Sequence, residues 1–181
     1  LWINLITDSL PALAMATEKA EPGIMNRKPR DSRAGIFSDG LGLDCIVQGV
    51  IISVLTLASY FIGHYVEYGT FDISQVITNP SAGIDGMTMA FLTLSMVEMF
   101  HSFNMRSRRE SIFKLNNQNI WLWGSFVVSL ILTYIAIETP LSQAFGFAEI
   151  GIKEYAIAMG LAFAIIPLME LYKAIMRAVE K

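Results

Sequence analysis

CIVQGVIISVLTLASYFIGHY, residues 45–65, runs for 21 residues without an Asp, Glu, Lys or Arg. A helix rises about 1.5 Å per residue, so about 20 apolar residues cross the roughly 30 Å hydrocarbon core of a bilayer. This stretch is long enough, and its apolar positions come as a run rather than at an amphipathic period. Two further runs read the same way: residues 87–105 give 19 positions with Glu98 as their one charge, and residues 120–137 give 18. Residues 155–169 supply 15 uncharged positions, lengthened by Ile150 and Ile152 at one end and by residues 170–173 at the other. The opening stretch LWINLITDSLPALAMA, residues 1–16, carries Asp8 as its only charge.

Composition agrees with the runs. Of 181 residues, 54% are hydrophobic and 16% charged, against roughly 25% charged in soluble domains. The sequence therefore predicts an all-α membrane protein, one domain over residues 1–181. Its five transmembrane helices form a single bundle with spans at about 1–17, 43–65, 86–104, 119–138 and 152–173. The lipid bilayer is the first partner implied. The single Cys45 excludes an internal disulfide framework and reads as inert filler. The first apolar run has no basic segment before it, so it is not read as a signal peptide, and the chain looks like part of something longer.

Twelve of the thirteen Lys and Arg residues fall on one side once the spans are marked. Lys19, Arg27, Lys28, Arg30 and Arg33 follow the first span; Arg106, Arg108, Arg109 and Lys114 follow the third; Lys173, Arg177 and Lys181 close the chain, and Lys153 stands alone opposite. The positive-inside rule makes loops 19–40 and 105–118 and the C-terminus cytoplasmic. The run RSRRE at 106–110 is a topology signal rather than a nucleic-acid patch. Acidic connectors around 67–85 and 138–154 read as extracytoplasmic, and Trp121, Trp123, Tyr60, Tyr65, Tyr68 and Tyr172 as headgroup anchors. No small-xxx-small glycine pair stands out.

Two carboxylates lie inside apolar runs, where a charge costs at least about 2.5 to 3.5 kcal/mol. Asp8 precedes Lys19 by eleven residues, roughly 16 Å of helix, and Glu98 precedes Arg106 by eight, roughly 12 Å, so both reach mid-membrane depth. Asn4, Thr7 and Asp8 share one neighbourhood by helical spacing. Their amide, hydroxyl and carboxylate oxygens are hard ligands suited to calcium or another hard cation. Pro11 has no N–H for the Thr7 carbonyl and clashes with it, so the helix is expected to loosen at that turn. Ser95, Glu98 and Ser102 form one polar stripe on the third span, and Glu98 is placed to face Asp8 across the bundle. Two carboxylates there need a proton or a cation between them. Asn, Ser and Thr taken singly also fit interhelical glue, and His101 fits an interfacial anchor.

These residues carry a resemblance. LWINLITDSLPALAMA followed by AEPGIMNRKPR resembles the sixth membrane helix and following loop of type II P-type ATPases, especially bacterial and sarcoplasmic-reticulum-like calcium pumps. SMVEMFHSFNMRS is similar to the eighth helix, NIWLWGSF to the start of the ninth and PLMELYKAI to the tenth. The resemblance implies that the five spans are the last five helices of such a pump. It further implies that Asn4, Thr7 and Asp8 are cation ligands, that Asp8 bridges two sites, and that Glu98 is the eighth-helix acid. It makes Ca²⁺ the transported ion, exchanged for protons, in a plasma membrane. ATP and Mg²⁺ would be bound by other domains of the same pump, whose remaining helices and cytoplasmic domains are the partners expected.

No Asp-Lys-Thr-Gly phosphorylation motif, Thr-Gly-Glu-Ser loop or nucleotide-binding domain occurs here, so this stretch alone is expected to be inactive. Arg27 and Arg30 in the NRKPRD turn are expected to help transmit phosphorylation to the helix bearing Asp8. Two other readings stay open: a sodium or other monovalent-cation pump, and a five-span scaffold or permease subunit using Asp8 and Glu98 as helix glue.

Overall fold

The computed structural model describes residues 2–20, 24–26, 29, 33–72, 74, 76, 80–115 and 118–179. Arg27, Lys28, Arg30 and Lys181 lie outside the described residues. Helix α1 (Ile3–Met15) opens as a π-helical stretch over Ile3–Asp8 and continues as α-helix over Ser9–Met15. It is followed by α2 (Leu41–Tyr68), α3 (Ile84–Asn104), α4 (Ile120–Glu138), the short α5 (Leu141–Phe145), α6 (Ile152–Phe163) and α7 (Ile165–Val179). Among the described residues there is no strand, and the chain is all-α. Pro167, which offers no N–H to the Phe163 carbonyl, explains the break between α6 and α7; together they run from Ile152 to Val179.

Among the described residues, three helical segments are long and apolar enough to cross a membrane: α2, α4 and α6 with α7. Helix α1 is shorter, and α3 has 21 residues but carries Thr, Ser, Glu and His along its length. The position of α3 accounts for that polarity. It packs against α1, α2, α4, α6 and α7, and Met89, Leu92, Met96, Val97 and Met99 on it are fully buried.

The partition of side chains is that of a protein dissolved in lipid. Leu43, Ile46, Val50, Val54 and Leu57 point outward along α2, and Trp121, Val127, Ile131 and Tyr134 along α4, while Ser59, Thr93, Ser95, Ser129 and Thr133 are buried. Ser59 donates to the Met89 carbonyl at 3.1 Å, and Thr93 to Ser59 at 2.7 Å. Hydrocarbon offers polar groups no partner, so the bundle interior must supply one.

A glycine pair does exist, across helices rather than along one. A Cβ on Gly86 of α3 would sit 2.7 Å from the Tyr60 carbonyl oxygen of α2, and one on Gly63 would lie 3.0 Å from the Gly86 Cα. These two positions set how closely α2 and α3 approach.

The basic loop does more than mark a side. Arg108 and Arg109 pair with the buried Asp44 at the start of α2, which also accepts from the Tyr172 hydroxyl at 2.6 Å. Lys173 is buried and donates to the Asn104 and Glu110 carbonyls at 2.6 and 3.2 Å, and Glu170 accepts from the Ile112 amide at 3.0 Å. Arg106 forks onto Glu18 at 2.8 and 3.1 Å, and Asn119 donates to the same carboxylate at 2.9 Å. Burial pushes the Glu18 carboxyl up, but the Arg106 and Asn119 hydrogen bonds and the Arg106 charge together outweigh it and hold Glu18 below its ordinary 4.5.

Gly86→Ala is expected to force α2 and α3 apart and destabilise the bundle by about 1 to 3 kcal/mol. Gly124→Ala, whose Cβ meets nothing within 4 Å, should be neutral or slightly stabilising; thermal unfolding of both variants in detergent checks the contrast. Because Glu18 titrates below its ordinary value, its pairing contributes fully above that value and is lost as pH falls through the folded-state pKa. Arg106→Ala leaves burial less opposed, so the Glu18 midpoint should move upward, read by carboxyl NMR on a sample labelled at Glu.

Candidate cation site

The polar constellation of the first run sits on an irregular piece of helix. Pro11 withholds the amide that a regular α-helix would give to the Thr7 carbonyl, and the six residues Ile3–Asp8 are wound as a π-helix. A π turn passes hydrogen bonds to the carbonyl five residues back and widens the helix, a form concentrated at functional sites. Hydroxyls secure the widened turn: Thr7 Oγ1 lies 2.9 Å from the Ile3 carbonyl, and Ser9 Oγ donates to the Asn4 carbonyl at 2.9 Å.

Thr7 is buried, and its Oγ1 lies 3.1 Å from Oε2 of Glu98 on α3. The Asp8 carboxyl is also within hydrogen-bonding reach of Glu98. A threonine hydroxyl has one proton to give, so its contacts to Ile3 and to Glu98 are satisfied together only when the glutamate side carries a proton. Two carboxyl groups so placed demand a shared proton or a cation between them.

The expected ligands are thus only partly gathered. Thr7, Asp8 and Glu98 come together. Asn4 and Asp8 are exposed on the outward face of α1, which is left open among the described residues. Ser95 is fully buried one turn before Glu98 with its hydroxyl unpartnered, whereas Ser102 donates to the Met99 carbonyl at 2.6 Å. His101 contacts Gln48 Oε1 at 3.2 Å, a helix-to-helix contact with α2 rather than with the carboxyl pair. Among the described residues no group of three or more His, Cys, Asp and Glu side chains is assembled.

One contact was missed by the sequence reading. Ser129 of α4 is buried and donates to the Ile6 carbonyl at 3.4 Å, so α4 touches the π turn from the side opposite its exposed face. The available signal was the spacing of Ser125, Ser129 and Thr133, four residues apart on one face of an otherwise apolar helix.

Comparison with known proteins bears on this site. A family model described as "Cation transporting ATPase, C-terminus" matches residues 1–175. A "Calcium-transporting ATPase 1" of Bacillus cereus is 33% identical over 174 residues, covering 93% of this chain and 19% of that protein. "Calcium-transporting ATPase lmo0841" of Listeria monocytogenes is 33% identical over 177 residues, covering 97% of this chain and 18% of its own length. An endoplasmic-reticulum-type "Calcium-transporting ATPase 3" of Arabidopsis thaliana is 28% identical over 194 residues, 98% of this chain and 19% of the plant protein. The chain therefore spans about a fifth of the length of these relatives. Two carboxyls beside a π turn in a lipid-facing helical bundle, with a family match over nearly every residue, give one assignment: the chain belongs to the C-terminal membrane region of the P-type cation-transporting ATPases.

Proposed function

We propose that this chain forms the last five membrane-crossing helices of an ATP-driven calcium pump and supplies one wall of its ion site. The observation that carries this reading is the meeting of Thr7, Asp8 and Glu98 at the π turn. Helices α1 and α3, shorter or more polar than the other three, complete the five crossings. Within this chain, protein covers the faces that bear Thr7 and Glu98, whereas Asn4 and Asp8 are exposed.

Calcium takes six to eight oxygens in flexible geometry. Asn4, Thr7, Asp8 and Glu98 offer a carbonyl, a hydroxyl and two carboxylates, which leaves places for oxygens from helices elsewhere in the pump. The exposed face of Asn4 and Asp8 is where those helices pack. The basic end of the bundle faces the cytoplasm of a cell whose plasma membrane holds the pump. ATP and Mg²⁺ act in domains outside this stretch, which by itself turns over nothing. Phosphorylation there rearranges the bundle, Asp8 and Glu98 release calcium outward, and protons return on the same carboxyls. The single-proton arithmetic at Thr7 supports that exchange, because its two contacts are satisfied together when Glu98 carries a proton. A pump for monovalent ions has no observation in its favour here, and the named relatives are calcium-transporting.

In the full-length pump, Asp8→Asn is expected to abolish calcium-dependent phosphorylation from ATP, raising the calcium requirement by about a hundredfold or more; normal calcium activation refutes the site. Glu98→Gln keeps a side chain able to bond Thr7, so expression and thermal stability should hold. Calcium affinity should fall by roughly tenfold, and the proton movement that accompanies transport in sealed vesicles should shrink.

A further inference from the structure

The basic end of α1 is tied to α3 and α4 by a joint that the cation ligands do not include. Beyond Met15 the chain leaves the helix through Thr17 and Glu18, whose amides donate to the Ala14 and Met15 carbonyls at 3.1 and 3.0 Å. The Thr17 hydroxyl adds a 2.7 Å bond to the Ala14 carbonyl. Asn119 Nδ2 reaches that carbonyl at 3.0 Å and the Glu18 carboxylate at 2.9 Å. Its Oδ1 meanwhile caps α4, accepting the Trp121 and Leu122 amides at 3.1 and 3.2 Å. Arg106, two residues past the end of α3, grips both oxygens of Glu18. That bidentate, charge-assisted geometry fixes orientation as well as distance. One Asn side chain thus starts α4 and holds α1, and one carboxylate joins α1 to the helix bearing Glu98.

Helices α1 and α3 run parallel and meet at two heights, Thr7 with Glu98 and Glu18 with Arg106. From Glu98 to Arg106 is about 12 Å of helix. Slipping α1 by one residue moves every side chain by about 1.5 Å along the axis and turns it by about 100°, which breaks both contacts. With the upper contact alone, α1 would pivot about Thr7 and swing Asp8 away from Glu98. The lower contact removes that freedom.

We propose that Glu18, Arg106 and Asn119 are positioning residues for the cation turn, holding α1 in the height and rotation that keep Asp8 beside Glu98, and so set cation affinity without touching the ion. The proposal rests on the calcium-pump reading of Asp8 and Glu98. Glu18 is ten residues from Asp8, so its effect travels through the axis of α1. The joint also lies at the start of the loop from residue 19 to 40, so a force on that loop meets Glu18 before it meets the ligands.

The test is a calcium titration of ATP-dependent phosphorylation in the full-length pump, with Glu18→Gln, Asn119→Asp, Asp8→Asn and the exchange Glu18→Arg with Arg106→Glu. Asn119→Asp keeps the cap on α4, since Asp is as good an N-cap as Asn, but it loses the donor to Ala14 and repels Glu18. Glu18→Gln and Asn119→Asp should each raise the calcium concentration for half-maximal phosphorylation about three- to tenfold. The maximal level should stay near wild type and the protein should stay folded with a modestly lowered unfolding temperature, and the exchanged pair should recover most of the midpoint shift. Midpoints within about twofold of wild type overturn the proposal. So does a loss of folded protein or of maximal phosphorylation with the midpoint unmoved, which is a structural role only. If Asp8→Asn keeps normal calcium activation, the calcium-site reading fails and this proposal with it. If Asp8→Asn abolishes activation while the joint variants leave the midpoint alone, this proposal alone is overturned.

Discussion

A carboxyl group midway along a buried membrane helix is held only if its neighbours bring polar atoms to it, and Glu98 on α3 sets that demand. Thr7 and Asp8 answer it from α1. To present both at once, α1 abandons regular winding, and the π turn over Ile3–Asp8 follows from Pro11 one turn further on. The turn in turn needs donors for its displaced carbonyls, which Thr7, Ser9 and Ser129 provide. Glu98 also requires α3 to be central, so that α2, α4, α6 and α7 shield it from lipid. Gly63 and Gly86 permit this by letting α2 approach to backbone contact.

The same solvent logic orders the periphery. Lipid makes no demand on Val50, Val54, Val127 or Ile131, which face outward, and it cannot satisfy Ser59 or Thr93, which bond each other and the Met89 carbonyl inside. At the basic end, cations and carboxylates close on one another: Asp44 with Arg108 and Arg109, Glu18 with Arg106. Lys173 is the extreme case, a buried ammonium that donates to the carbonyl of Asn104, the last residue of α3, and to that of Glu110 in the loop beyond it. Carbonyls left over where a helix ends carry the negative pole of its dipole, which suits a lysine there.

Charge-free length made α2, α4 and the paired α6 and α7 legible in the sequence, because hydrocarbon thickness acts on runs and not on individual contacts. The meeting of Thr7 and Asp8 with Glu98 and the irregular winding before Pro11 were legible too, from spacing on one helix and the rarity of intramembrane acids, whereas Asn4 turns outward from that pair. What stayed hidden depends on which helix meets which, and at what height. Gly63 and Gly86 sit in different segments and become a pair only once α2 and α3 are in register. Asn119 reads only as the first residue of a span until its Oδ1 is seen capping α4 and its Nδ2 on α1. Lys173 reads as part of a basic tail until α7 is docked beside Asn104.

The division of α1 into a buried and an exposed face carries the functional consequence furthest. Thr7 turns inward to Glu98, while Asn4 and Asp8, one turn apart, turn outward. An amide and a carboxylate facing lipid inside a membrane carry a large penalty, so on the proposed calcium-pump reading further helices of the pump pack on the outward face of α1. Asp8 stands at the boundary, within reach of Glu98 on one side and open on the other. A group so placed can share a cation between an inner partner on this chain and outer partners beyond it. On that reading, the energy that tightens or loosens the site need move only the surrounding helices relative to α1, which is anchored at two heights to α3 and touched along its length by α4.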